Sequence, residues 1–168
     1  MARRLLLLRH AKTEEFRPGG QDFDRRLTPR GERQARDVGA FLEERGVPVD
    51  AVLCSSAKRT RQTYELLGLT VPTGGMDDSR RYYDAGVDEL VEAVRALDDA
   101  VDTALLVGHA PGVPGVAYEL VDPDASEPFA VASIATRFPP STLAWLEFEG
   151  PWAELEAARL VEARLPSV

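Results

Sequence analysis

The apolar positions of this chain fall into short unbroken runs separated by segments with helical spacing. Leu5 to Leu8 is a continuous apolar run, the pattern of a strand covered on both faces. A helix is predicted next: Thr28 suits an N-cap and Pro29 the first helical position. Ala35, Val38, Phe41 and Leu42 then recur along one face until Gly46 and Pro48 stop it. Ala51 to Cys54 reads as a second short strand, followed after Ser55-Ser56 by a helix reaching Leu67 and closed by Gly68. Residues 70–86, rich in Gly, Pro and Asp, predict a loop, and Leu90, Val91, Val94 and Leu97 predict a helix over Val87 to Leu97. Thr103 to Val107 predicts a third strand, and Pro111, Gly112 and Pro114 open a short helix to Val121. Residues 131–137 and 141–148 read as two further strands, while the spacing from Trp152 to Leu165 starts helical and ends alternating. Strands that alternate with helices imply an α/β fold of three layers, a mostly parallel sheet with helices on both faces.

Length and composition narrow this to one soluble domain over residues 1–168. A chain of 168 residues buries roughly two-thirds of its unfolded surface as a single unit. No run approaches the ~18 apolar residues that a membrane span needs. Met1 to Arg4 ahead of four leucines resembles a signal peptide, but Arg9 interrupts the apolar run too soon. A single cysteine, Cys54, leaves no internal disulfide and points to a reducing, cytoplasmic setting. The net charge of −8 argues against general nucleic-acid or anionic-membrane binding and makes any basic pocket a local exception. A phosphorylated ligand enters against that mean field and a protein partner with a basic face does not, which favours a phosphoprotein over a free nucleotide.

The chain has two histidines, and both follow an apolar strand directly, in Leu7-Leu8-Arg9-His10 and Leu106-Val107-Gly108-His109. Ligands of open α/β sheets bind at the carboxyl ends of strands, so neighbouring strands would turn both imidazoles into one crevice. Each histidine taken singly is more simply a capped or solvent-edge residue; the shared placement is what argues for a site. A zinc site is the metal alternative, with Cys54 as a third ligand. Zinc asks for three or four ligands, and no close-spaced pair exists, so no metal or cofactor is expected. Arg9 beside His10, and Arg59 near the start of the helix after Cys54, complete a phosphate-binding set, because guanidinium grips phosphate with two parallel bonds. Lys58 and Arg61 fit an ordinary solvated helix face.

These residues match family motifs. Leu8-Arg9-His10-Ala11 resembles the RHG-type signature of the histidine phosphatase superfamily. The run Ser55 to Thr63 is similar to its S-x-x-x-R-x-x-Q-T segment, and Gly108-His109-Ala110-Pro111 to its second-histidine motif. The RHA form, the Leu27-Thr28-Pro29-Arg30-Gly31 segment and the small size resemble the SixA-type phosphohistidine phosphatase branch most. Tyr83-Asp84-Ala85 and Leu143 to Phe148 are further echoes. The resemblance covers nearly the whole chain in order and implies a phosphoglycerate mutase-like fold.

It also implies a chemistry. His10 attacks phosphorus and forms a phosphohistidine that water hydrolyses, with Arg9, Arg59 and a protonated His109 supplying positive charge to the phosphoryl oxygens without a metal. His10 has to be neutral, and neighbouring cations depress its pKa toward that state. One branch of the superfamily places an acid directly after the second histidine, where this chain has Ala110. The other takes a carboxylate from mid-chain, where Asp77, Asp78, Asp84, Asp88 and Glu89 stand; Asp84 is the candidate, against an ordinary loop or capping role. A weak acid leans toward phosphohistidine substrates, whose labile P–N bond asks little of one, whereas an alkoxide leaving group requires protonation. SixA types often carry asparagine where Ala110 stands. Lys12 adds a cation near the pocket mouth, and Arg25 and Arg26 replace the usual Arg-Pro, more simply as solvated loop.

Several rivals stay in view. Cys54-Ser55-Ser56-Ala57-Lys58-Arg59 resembles a cysteine phosphatase loop, but four residues separate Cys54 from Arg59 where five are needed, and a buried inert thiol is expected. A small-molecule phosphomonoesterase on the same fold is the main alternative. A mutase lacks room for enclosing insertions, and a phospho-ligand binding module without turnover would be expected to lose a histidine.

Overall fold

The computed structural model describes residues 2–167, and its centre is the strand predicted first. β1 (Arg3–Arg9) lies between β4 (Thr103–Gly108) and β5 (Leu143–Phe148) in a six-stranded sheet of order β3-β2-β4-β1-β5-β6, with β2 at Ala51–Ser55, β3 at Met76–Ser79 and β6 at Arg159–Arg164. The pairs β3–β2, β2–β4 and β4–β1 are parallel, and β1–β5 and β5–β6 are antiparallel. Alternate leucines of β1 serve opposite faces. Leu6 and Leu8 pack with Val38 and Leu42 of α1 (Pro29–Glu44) and with Tyr64 of α2 (Lys58–Leu66). Leu5 and Leu7 join the larger core under α4 (Val87–Arg95), α5 (Gly112–Leu120) and α6 (Pro128–Ala135). All four leucines are fully buried, so truncating any one to alanine carries a cost of about 2–5 kcal/mol. The architecture is therefore the expected mostly parallel three-layer α/β fold. Among the described residues no helix is long and apolar enough to cross a membrane.

Local signals explain where helices begin. Thr28 Oγ1 accepts from the Gly31 amide at 3.0 Å, with Pro29 at the first helical position. Residues 131–137 are not the strand expected of them: they belong mostly to α6. Glu127 caps that helix by accepting from the amides of Phe129 (3.1 Å) and Ala130 (2.6 Å), Pro128 starts it, and the buried positions are Ala130 and Ile134, four apart. The stretch 70–86 also holds more than loop, namely β3 and the single turn α3 (Arg81–Asp84). β3 is polar in the middle, Asp77-Asp78, because it is an edge strand whose order comes from pairing with β2. The ambiguous tail resolves into a 3-10 turn at Trp152–Glu154 and the antiparallel edge strand β6.

The helices α1 and α2 pack closely through a glycine. A Cβ on Gly39 would stand 2.1 Å from the Leu67 carbonyl oxygen, a backbone atom that cannot step aside. We expect Gly39→Ala to destabilise the protein by about 1–3 kcal/mol despite alanine's better helix propensity, read as a lower denaturant midpoint. An unchanged or raised midpoint would show that the two helices do not pack this tightly.

Candidate active site

The parallel register sets Arg9 opposite Gly108, so the next residue on each strand, His10 and His109, leaves the sheet side by side. Their ring centroids are 5.5 Å apart and tilted by 57°. The His10 amide donates to the Gly108 carbonyl at 3.0 Å, which ties the two strand ends together. On the far side of β4, Ser55 ends β2, and its buried hydroxyl lies 2.7 Å from His109 Nε2.

The tautomer of His10 follows from its partner. Its Nδ1 is 2.8 Å from the Ala11 carbonyl oxygen. A carbonyl only accepts, so Nδ1 carries the proton and Nε2 keeps its lone pair. His10 is 5% exposed, and its pKa falls to about 3, first because burial disfavours the charged ring and then because His109, Arg59 and Arg9 repel a proton. The neutral state is as expected, but desolvation is its first cause, ahead of the neighbouring cations. His109 falls to about 4, again through burial first and Arg59 second. The charge expected of His109 is thus absent from the protein alone at neutral pH, and a phosphoryl group beside the ring would have to induce it.

The arginines are placed by the backbone. Arg9 donates from Nη1 to the Phe138 carbonyl at 2.9 Å, and burial together with Arg59 lowers its pKa. Arg59, 5% exposed on the first turn of α2, turns its fork to Asp22, donating to the carbonyl at 2.7 Å and to Oδ2 at 2.9 Å. Arg9 Nε, Arg59 Nε and His109 Nδ1 are buried with no hydrogen-bond partner among the described residues. Buried polar atoms without a partner call for an explanation; Thr103 Oγ1 and Trp145 Nε1, away from the histidines, share that state. No three His, Cys, Asp or Glu side chains cluster as metal ligands among the described residues.

The carboxylate beside Arg59 is Asp22, not the expected Asp84. Asp84 is exposed and faces Arg80 at 4.0 Å, so the structure does not bring it to the histidines. Asp22 also accepts from the Tyr83 hydroxyl at 2.8 Å, and Arg25 Nε lies 3.3 Å from its Oδ1. Burial raises the Asp22 carboxyl, but donation from Tyr83 and Arg59 outweighs that and holds it below its ordinary value. Tyr83 in turn packs edge-on against His109, with centroids 5.4 Å apart. In Tyr83-Asp84-Ala85 the tyrosine therefore belongs to the site and the aspartate does not. Nothing in the spacing around Asp22 signalled its place, since it reaches Arg59 across 37 residues. Ser55, the first residue of the S-x-x-x-R-x-x-Q-T segment, and Ser141, which stands in no motif, complete the surroundings of the histidines. Ser141, at a left-handed φ of 69°, donates its amide to the Arg9 and His10 carbonyls at 3.1 and 2.9 Å. Arg25 proves half-buried over Asp22, while Arg26 and Lys12 are exposed.

Other motif residues hold this arrangement. Thr63 Oγ1 accepts from the Ala11 amide at 3.1 Å and donates to the Arg59 carbonyl at 2.7 Å; Gln62 Oε1 accepts from the Leu27 amide at 2.9 Å. The start of α1 docks on the Lys12 carbonyl, which accepts from the Thr28 amide at 3.0 Å; a Cβ on Gly31 would sit 2.0 Å from that oxygen, so only glycine fits. Cys54 donates its thiol to the Ser55 carbonyl at 3.3 Å, fully buried, and burial raises its pKa. It is an inert core thiol.

Residues 5–77 match the family model of the histidine phosphatase superfamily (branch 1). The uncharacterized protein ML1117 of Mycobacterium leprae is 36% identical over 164 residues, covering 95% of this chain and 99% of that protein. Among solved structures, SixA from Nakamurella multipartitia superposes with a TM-score of 0.87 at 35% identity, covering 100% of this chain and 98% of that one. The protein histidine phosphatase SixA complexed with tungstate shares the fold, with a TM-score of 0.76 at 21% identity and 95% of each chain covered.

The depressed histidines set a pH dependence. Unfolded, each takes up a proton near pH 6.5; folded, they do so near 3 and 4. Between those values the unfolded state binds more protons, so stability is full above pH 6.5 and is lost as pH falls toward 3. We expect His109→Gln to lose less stability than the parent between pH 7 and pH 4.5 in denaturant titrations; equal losses would contradict the buried neutral ring. Imidazole NMR of this two-histidine protein should show neither ring titrating between pH 8 and 5, and inorganic phosphate should raise the pKa of His109.

Proposed function

Because the chain belongs to the histidine phosphatase superfamily, and within it to the SixA-type branch, we propose that it is a metal-independent phosphatase. It acts through a phosphohistidine intermediate on His10, and its substrates are phosphohistidine proteins. The observation that carries this reading is the His10 geometry: the Nδ1 proton is committed to the Ala11 carbonyl, so the Nε2 lone pair is free for in-line attack. Nε2 forms a bond to phosphorus as the bond to the leaving group breaks, and the electron pair departs with the leaving nitrogen, which takes up a proton. Water then displaces His10 from phosphorus, losing a proton and releasing inorganic phosphate. Arg9 and Arg59 balance charge on the equatorial oxygens, and His109 joins them once the phosphoryl group raises its pKa.

The choice of substrate class rests on Asp22. Its carboxyl is held ionised by Tyr83 and Arg59, and a general acid needs a pKa near the working pH. The Tyr83 hydroxyl, already donating to Asp22 and raised in pKa by that bond, is a poor proton source. A leaving imidazole needs little help, whereas a sugar alkoxide does. This favours phosphohistidine over the alternative, a small-molecule phosphomonoesterase on the same site.

The test is hydrolysis of a phosphohistidine protein beside p-nitrophenyl phosphate and common sugar phosphates, with EDTA present. We expect kcat/KM highest on phosphohistidine, an acid-labile phosphoenzyme, and loss on the order of 10³-fold or more in His10→Ala. Arg59→Ala should lose roughly 10²–10³-fold by removing charge from the transition state, and Cys54→Ser should keep full activity. Activity surviving in His10→Ala would remove the nucleophile, abolition by EDTA the metal independence, and a strong sugar-phosphate preference the substrate class.

A further inference from the structure

We propose that a cationic surface beside the active site is the docking face for an acidic segment of the phosphoprotein substrate. The chain carries 28 acidic and 20 basic residues, and its arginines are mostly matched to acids, as in Arg45–Glu162, Arg61–Asp78 and Arg159–Glu147. Five cations outside such pairs among the described residues gather in one region. Lys12, Arg30, Arg33, Arg137 and Arg164 line two adjoining surface cavities of ≈ 220 and ≈ 230 Å³ that share Arg30, with Asp37 the one acidic side chain on their walls among the described residues. Lys12, Arg33 and Arg137 make no ion pair among the described residues. Arg30 donates to the Ser167 carbonyl at 3.3 Å, and Arg164 lies over the Phe41 ring at 5.4 Å.

This surface is joined to the site through short backbone links. Lys12 follows His10 by two residues, and its carbonyl seats α1, which carries Arg30 and Arg33. Arg137 precedes Phe138, whose carbonyl holds the Arg9 guanidinium. A macromolecule that presents its phosphoryl group to His10 would therefore lie across these cations. The net charge of −8 suggests a partner with a basic face, but the side chains gathered beside the pocket have the opposite sign. Leaving like charges unpaired on one face costs stability, and the gain from such a face is faster, oriented association with a complementary partner. The cations stand on four chain segments around shallow, open cavities, which suits an extended acidic surface better than one compact anion.

The proposal rests on the phosphohistidine reading above, and its test separates the two. Histidine peptides flanked by glutamates or by neutral residues, phosphorylated or not, serve as probes for the parent protein and for Arg33→Glu/Arg137→Glu, two exposed substitutions away from the catalytic set. We expect the unphosphorylated glutamate peptide to bind the parent in a salt-sensitive manner and the variant at least about tenfold more weakly. Among phosphopeptides the glutamate-flanked one should have the higher kcat/KM, lost in the variant, while turnover of p-nitrophenyl phosphate and the melting temperature stay unchanged. Hydrolysis of both phosphopeptides without glutamate preference would overturn docking and leave the phosphohistidine reading intact. Hydrolysis of neither, with glutamate-peptide binding retained, would overturn that reading and leave the acidic-segment site. An oligonucleotide of equal charge binding more tightly than the peptide, or a low-salt dimer that the variant dissolves, would assign the surface to a different partner.

Discussion

The in-register parallel pairing of β1 with β4 is the constraint on which the rest of the structure depends. With Arg9 opposite Gly108, the two strands end level, and His10 and His109 begin the crossing of the same sheet edge. A one-residue slip would carry Arg4 or Arg9, which flank the four leucines, into a position that a leucine now fills. Because all four leucines are fully buried, such a slip is opposed from both faces. The energy that specifies the fold thus also specifies the spacing of the two imidazoles. Ser55 at the end of β2 and Ser141 ahead of β5 extend the same logic, bonding the His109 ring on one side and the His10 backbone on the other.

Burial then governs the electrostatics. Desolvation is the first cause of the low pKa of both histidines, and the buried Arg59 and half-buried Arg9 stand beside them. In an acidic protein this makes a small pocket of neutral imidazoles and cationic guanidinium groups. Asp22 is the counterweight: its backbone carbonyl and carboxylate fill the Arg59 fork, fixing the guanidinium while keeping its own proton off. The same contact that orients Arg59 removes Asp22 from the role of proton donor, and links geometry to substrate chemistry.

Many motif residues act on backbone. Thr63 joins the turn after His10 to the α2 residue Arg59, Gln62 fixes the segment that leads into α1, and Gly31 admits the Lys12 carbonyl where any side chain would collide. Their side chains replace sheet or helix hydrogen bonds that the irregular loops around the site cannot make for themselves. This is why short motifs far apart in the chain appear as a set.

Strands buried on both faces and helices with N-caps were legible in the chain, because continuous apolar runs and Thr28-Pro29 have few other readings. So were His10, His109, Arg9 and Arg59, since their neighbours are motif residues. What misled was local resemblance. The β-branched residues of 131–137 suggest a strand, yet Glu127 and Pro128 start a helix, and the polar edge strand β3 carries no apolar signal because its partner β2 supplies its order. Asp84 is one of five mid-chain carboxylates that no neighbour distinguishes, and a four-residue helix turns it to solvent while Tyr83 faces His109. By itself the sequence determined the alternation of buried layers and pointed to the four residues, Arg9, His10, Arg59 and His109, that the structure gathers at the strand ends, because both are written in contiguous residues. Only the tertiary structure decided that Asp22 occupies Arg59, that His109 is neutral and that unpaired cations gather beside the pocket, because each depends on groups far apart in the chain.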